Sequence, residues 1–463
     1  MATLKPLALV VVIAGSGCVV DDEPVPSRFG SALHTSPAAC GQPAYQWVDD
    51  PRLGDVLDRE ELRVVELTDS QGFIDTLRES DAADVAHVPQ RRVFLDRFRY
   101  QTQDRGQLVE ATGLYAFPDP KEVDGPLPLV IYTHGTSGYS DACAPSHLAE
   151  GPTATDAAII GVFASVFDGG GAVVVAPDYL GMAGFGAPST FSHPYMIAEP
   201  TAIAALDAGR AARQLAADDG LTLNDGVVVA GGSQGGHAAA LTARYAPHYA
   251  TDITLIGTVN AIPPLDLLGH AVDAVSGGLA GPVNVGNIVA GMVAAQRWYG
   301  VPRETLLELV DEAALDDVEA TMDSGCALPE IELSVDELFA PDAVAAARAG
   351  AFEDFPGPWG CIFSRSSLVD TDVERLDDTP GLVVLGTDDT LVEPGVERRA
   401  VAALCEQGMT LAFQECAGRD HGGAFLAAID DMLAFLEARV RGDDVVDACV
   451  VSAAGLCGSD PGP

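Results

Sequence analysis

The run Val227-Val228-Val229-Ala230 has the aliphatic pattern of a buried strand, and it passes without a spacer into Gly231-Gly232-Ser233-Gln234-Gly235-Gly236-His237 and a helical pattern ending near Tyr245. A turn that tight leaves the chain few solutions. It forces the serine into a strained backbone geometry, and only glycine at 231 and 235 lets neighbouring backbone pass so close. The hydroxyl then stands at a helix N-terminus, where main-chain N–H groups and the helix dipole favour a developing negative charge. With 49 glycines in the chain the G-x-S-x-G spacing alone says little. Its place between a strand and a helix marks Ser233 as a nucleophile rather than an ordinary glycine-rich turn.

The same alternation runs through much of the chain. Short aliphatic runs predict strands at Leu129 to Thr133, Ala172 to Ala176, Val227 to Ala230, Ile253 to Val259, Leu382 to Leu385 and Thr410 to Phe413. Helical patterns lie at about Thr155 to Phe167, Pro200 to Ala217, Gly235 to Tyr245, Glu393 to Glu406 and Gly423 to Val440. Parallel strands need crossover connections, so this rhythm predicts a mostly parallel sheet with helices on both faces. Functional groups are expected beyond the carboxyl ends of its strands. Ahead of it, Val93 to Phe98 and Leu108 to Phe117 read as an antiparallel hairpin turning near Gly106.

Between Val259 and Leu382 the rhythm stops. A structureless loop of that length is implausible, so a largely helical insertion, a cap over residues 267–372, is expected. Within it, Asp273 and Arg297 bracket a stretch without charge, rich in Gly, Ala and Val. It reads either as a buried helical hairpin or as a mobile apolar lid lining a substrate pocket. Pro282, Asn284 and Asn287 argue against a membrane span. The implied organisation is a core in two parts, 91–266 and 373–441, preceded by a polar tether and peripheral segment over 19–90 and followed by a Cys-containing tail over 442–463.

Charge excludes one class of partner. Lys plus Arg is 25 and Asp plus Glu is 68, a net charge of −43, which repels phosphate backbones and anionic membrane surfaces and makes nucleic acid an unsuitable ligand. Residues 1–18 read as an export signal, with Lys5 before the apolar run from Leu7 to Ala14, too short for a transmembrane helix. Gly15-Ser16-Gly17-Cys18 resembles the lipobox of bacterial lipoproteins, although Gly15 stands where those proteins carry an aliphatic residue. The expected destination is therefore the outer membrane, through a lipid anchor on Cys18, or the exterior after cleavage near Ser16 or Gly17. The other eight cysteines suit up to four disulfides in an oxidising compartment, the sequence-local pairs Cys449 with Cys457 and Cys326 with Cys361 coming first. No Cys-x-x-Cys or Cys/His cluster suggests a metal site.

A serine hydroxyl needs a base to take its proton and a carboxylate to orient that base. His421, in Gly418-Arg419-Asp420-His421-Gly422-Gly423, follows the last strand and precedes the last helix. His237 is nearer in sequence, but four residues along the helix its ring points away from the hydroxyl, which suits packing. Directly after the strand ending at Leu385, Gly386-Thr387-Asp388-Asp389-Thr390 offers Asp389 as the acid and Asp388 as the alternative, against a capping or turn role for the pair. An oxyanion would need two N–H donors. The loop Tyr132-Thr133-His134-Gly135-Thr136-Ser137-Gly138 offers that of Thr136, with His134 structural, and Gln234 offers its own main chain.

The His134-Gly135-Thr136 loop, Pro177-Asp178-Tyr179-Leu180-Gly181, Gly231 to Gly236, the Asp389 loop and His421, in that order, resemble the α/β-hydrolase superfamily. More narrowly they are similar to its secretory lipase and esterase branch, which carries a cap before the acid-bearing strand. The likeness spans about Val93 to Val440 and fades in the cap. It implies an α/β-hydrolase fold and hydrolysis of lipid or small-molecule esters through an acyl-serine, with no metal or organic cofactor. Amide or peptide hydrolysis and acyl transfer by the same triad remain as rivals, as does a binding protein on a retired hydrolase scaffold.

Overall fold

Nine strands form one sheet in the computed structural model, which describes residues 33–35, 40–79, 85–149, 155–167, 170–278, 281–350, 357–450 and 453–457. In chain order they are β1 (Val56–Val65), β2 (Val93–Asp104), β3 (Gln107–Pro118), β4 (Leu127–Thr133), β5 (Val173–Pro177), β6 (Leu223–Gly232), β7 (Thr254–Ala261), β8 (Gly381–Gly386) and β9 (Leu411–Cys416). Across the sheet the order is β9-β8-β7-β6-β4-β5-β3-β2-β1. β4 to β9 pair in parallel, whereas β1, β2 and β3 form an antiparallel flank. This is the mostly parallel, helix-flanked architecture expected of the α/β-hydrolase class.

The central parallel strands lack alternation because both faces are covered, whereas the edge strand β9 alternates. In β6, Val227 and Val229 join one apolar cluster while Val228 and Ala230 join the other. The first cluster takes in Ala198–Asp218 and Gln234–Tyr249; the second takes in Thr155–Val166 and Ile429–Arg441. The helix expected over Gly423 to Val440 is split at Ala428 into His421–Ala427 and Ile429–Arg441. The β2–β3 hairpin turns through Arg105 and Gly106, both at positive φ (49° and 74°), which is the two-residue turn that matches strand twist.

Between β7 and β8 the chain is helical. Five longer helices lie there: α1 (Leu267–Ser276), α2 (Pro282–Tyr299), α3 (Glu312–Ser324), α4 (Pro341–Ala349) and α5 (Trp359–Ser366). The uncharged stretch forms the end of α1 and most of α2, and Val289, Ala290, Met292 and Val293 of α2 are fully buried. Both helices bury apolar faces, and Asn284, Asn287, Ile288 and Gly291 of α2 also line a cavity. Among the described residues no helix is long and apolar enough to cross a membrane.

One segment gains detail and one expectation needs correction. The peripheral part of 19–90 contains an edge strand of the sheet, Val56–Val65, paired with β2, and a helix, Leu67–Glu79. Its strand hides because most of its residues are exposed or half-buried and two register shifts break the two-residue period. The disulfides are Cys40–Cys361, Cys143–Cys326, Cys405–Cys449 and Cys416–Cys457, so neither sequence-local pair forms. Instead of folding on itself, the C-terminal tail returns to the sheet edge, where Gly455 bridges Cys416 in parallel fashion. Cys326 and Cys361 each tie the insertion to other parts of the chain. Residues 1–18, where an export signal with Cys18 is expected, lie outside the described residues.

Candidate active site

Ser233 joins β6 to the helix Gln234–Tyr249 with φ 58° and ψ −122°, a conformation costly for any residue with a side chain. Two glycines make it possible. A Cβ at Gly231 would lie 2.4 Å from the carbonyl oxygens of Thr133 and Gly235, and one at Gly235 would lie 1.9 Å from Thr133 O. The Ser233 amide donates to Ala261 O at 2.9 Å, which locks the turn to β7.

The other expected members sit at the ends of β8 and β9, on the same side of the Ser233 strand in the sheet order. His421 opens the helix that follows β9, and its Nδ1 donates to Asp389 Oδ2 at 2.7 Å. The carboxylate is itself fixed, because Oδ1 accepts from the amides of Leu391 (2.8 Å) and Val392 (2.9 Å). Asp389 is buried, at 5% exposure, whereas Asp388 is exposed and accepts from the Thr387 hydroxyl. Of the two acids, then, Asp389 reaches the imidazole. With the proton held on Nδ1, Nε2 presents a lone pair, and it is buried without a hydrogen-bond partner. The His421 helix packs beside the serine: a Cβ on Gly232 would lie 2.6 Å from the Phe425 ring, one turn on from His421.

The His134 to Gly138 loop crosses the same spot. A Cβ on Gly135 would come within 3.9 Å of the Ser233 side chain. Thr136 follows, its hydroxyl 3.0 Å from Tyr195 Oη, and Gln234 opens its helix, so its N–H has no intrahelical acceptor. Beneath the loop, Tyr179 donates to His134 O at 2.9 Å, and Asp178 accepts from the Ser146 amide and the Thr112 hydroxyl. Burial raises the Asp178 carboxyl despite those bonds. His134 packs against Tyr179 with the rings tilted by 37° and their centroids 4.4 Å apart. His237 is buried, its Nε2 donating to Ser366 O at 2.7 Å, and burial pushes its pKa down to about 4. It pins α5 to the core.

Ser233 opens into a narrow cavity of about 50 Å³. Its walls come from the sheet edge and from the insertion, with Leu267 and His270 of α1, Asn284 and Ile288 of α2, and Phe363 of α5. His270 and Glu397 form a buried pair at 2.7 Å, and burial raises the Glu397 carboxyl. Asn284 donates to Leu391 O, which joins the insertion to the acid loop. Sequence reasoning did not single out His193, Tyr195, His270 or a polar role for Asn284, because these meet the site only through tertiary packing. Among the described residues no cluster of His, Cys, Asp or Glu could hold a metal ion. A fixed serine and, on a helix packed against its turn, an oriented imidazole with an unpartnered Nε2 are groups of the kind acyl transfer uses.

A family model described as secretory lipase matches residues 153–448. Among solved structures, the rice cell wall degrading esterase LipA from Xanthomonas oryzae is similar at a TM-score of 0.65 with 21% identity, over 84% of this chain and 97% of that one. Candida antarctica lipase A is similar at a TM-score of 0.62 with 16% identity, over 88% of this chain and 86% of that one. These likenesses show the fold. No curated protein sequence gives a significant match.

Proposed function

We propose that this chain, which belongs to the secretory lipase family, cleaves carboxylic esters by two-step acyl transfer through Ser233. Ser233 Oγ attacks the ester carbonyl as His421 Nε2 takes its proton, and Asp389 stabilises the imidazolium. The amides of Thr136 and Gln234 hold the oxyanion. His421 then protonates the departing alcohol, and water, deprotonated by the same ring, releases the acid. The observation that carries the reading is the Asp389–His421 pair at 2.7 Å with Nε2 left unpartnered, on a helix whose Phe425 packs against the turn that holds Ser233 at φ 58°.

Peptide or amide hydrolysis finds less support. An exopeptidase needs a carboxylate to anchor the substrate amine, and among the described residues no acidic side chain lines the Ser233 cavity. The only adjacent Glu pair, Glu60-Glu61, lies on β1 at the far edge of the sheet, with Glu60 paired to Arg97 at 2.6 Å. Matched ester and amide substrates separate the two: ester turnover exceeding amide turnover by orders of magnitude is expected, and the reverse defeats the assignment. The family and the four disulfides point to an exported protein. Lipidation of Cys18 is proposed as its anchor, and the intact mass of the purified N-terminal peptide distinguishes it from simple cleavage.

A further inference from the structure

We infer that His193 and Tyr195, two residues of one short segment, are positioning residues that hold Gln234 and Thr136 where their amides bind the oxyanion. This deepens the reading of Ser233 as nucleophile and rests on it. Each side chain reaches a different donor residue. Gln234 Nε2 donates to His193 Nε2 at 3.0 Å, and Tyr195 Oη lies 3.0 Å from Thr136 Oγ1.

The two donor residues need such a hold to different degrees. Gln234 opens a helix, and the strained turn at Ser233 already sets its main chain. Thr136 lies in the loop between β4 and the short turn Asp141–Cys143, and among the described residues no main-chain hydrogen bond ties it. Its hydroxyl contact to Tyr195 is therefore its polar anchor. An oxyanion donor must stand about 2.7–3.1 Å from where charge will develop, and it acts most strongly when nothing has to reorganise at that moment.

The segment that makes both contacts is itself fixed. His193 Nδ1 donates to Leu180 O at 2.9 Å, which leaves Nε2 as the acceptor that the Gln234 amide requires. At Gly181 the two backbones press together, and a Cβ there would lie 2.4 Å from the His193 nitrogen. Tyr195 meets Tyr139 edge-on with centroids 5.1 Å apart, and the Ile197 amide donates to Pro194 O at 3.0 Å. Tyr179 adds a third tie. Its ring lies nearly parallel to that of His193, and its hydroxyl donates to His134 O at the root of the same loop. Burial lowers the His193 pKa to about 4 and raises that of Tyr195 to about 12, so neither contact changes its charge near neutral pH.

The test measures kcat/KM on 4-nitrophenyl butyrate and on its thionoester, in which C=S replaces C=O. Sulfur is larger and a weaker acceptor, so donors set for an oxyanion favour the oxygen ester. Wild type is compared with Tyr195→Phe, Thr136→Val and the double variant, each checked by thermal unfolding. Each single substitution should lower kcat/KM on the oxygen ester about tenfold, short of the 10²–10³-fold expected for outright loss of a donor, and lower the oxygen-to-sulfur ratio with it. The double variant should lose no more than either single one. Thr136→Val decides alone if Tyr195→Phe fails to fold. A loss of general packing would depress both esters alike, so an unchanged ratio in the folded variants, or losses that add, overturns this inference and leaves the esterase reading standing. A wild type that cleaves both esters equally overturns the oxyanion assignment beneath it. Failure of the folded wild type to cleave either overturns the Ser233 reading as well.

Discussion

The carboxyl edge of the sheet and the helical insertion are held by different means, and the site needs both. At the sheet edge, Ser233, Asp389 and His421 follow β6, β8 and β9, whose parallel ladders fix their backbones by main-chain hydrogen bonds. The insertion has no strand in that ladder. It is tied down by side chains: the disulfides Cys143–Cys326 and Cys40–Cys361, the His237 bond to Ser366 O, the Arg365–Glu199 pair at 2.9 Å, and Asn284 on the acid loop. Backbone register places the proposed chemistry, and discrete cross-links place the walls around the substrate. Substitutions in the two regions should therefore separate catalysis from stability and affinity.

The largest separation is expected from Ser233→Ala. Ester turnover should drop by about 10⁴-fold or more while the melting temperature stays within a few degrees, as read by chromogenic ester hydrolysis and calorimetry. Undiminished turnover would falsify the nucleophile assignment. Next, Asp389→Asn should cost about 10³- to 10⁴-fold in kcat by leaving the imidazole in the wrong tautomer, with Asp388→Asn close to wild type. Equal losses in the two variants would mean that the buried and exposed acids act together.

The insertion should respond in the opposite sense. Replacing Cys143 and Cys326 together by serine should lower stability by about 2–4 kcal/mol in denaturant titrations, and raise KM with little change in kcat. A fall confined to kcat would place the insertion in the chemistry itself. The smallest effect is expected away from both regions, at His87. Its hydrogen bonds to Asp430, then Glu437, raise its pKa to about 9. A raised folded pKa contributes stability that is fully present below the unfolded value of about 6.5 and lost as pH rises through about 9. The stability gap between wild type and His87→Phe should thus be widest in mild acid and close above pH 9; a gap that widens toward alkaline pH would reverse the sign.

What the sequence made legible follows the same division. β4, β5, β6 and β8 announce themselves because burial on both faces demands aliphatic runs, and Ser233 and Asp389 can be selected because each closely follows such a run, whereas His421 comes after the edge strand β9, whose burial alternates. β1 gave no such signal, its side chains being largely solvated and its register interrupted. Local spacing could not reveal the disulfides, because Cys449 and Cys457 each turn back to a different element of the core. The polarity of Gln234 and Asn284 is visible in the sequence, but their orientation depends on His193 and Leu391, which only packing brings near.

The tail that returns to β9 also bears on how copies of the protein behave toward one another. A sheet margin with free N–H and C=O groups is a template for a second molecule. At one margin Gly455 occupies the end of β9, clamped by Cys416–Cys457 and Cys405–Cys449. At the other, β1 carries Asp58, Arg59, Glu60, Glu61 and Arg63 and two bulges, which discourage strand addition. Only the first guard is redox-dependent. A reducing environment would release it while leaving the charged margin intact, so self-association under reduction should begin at β9.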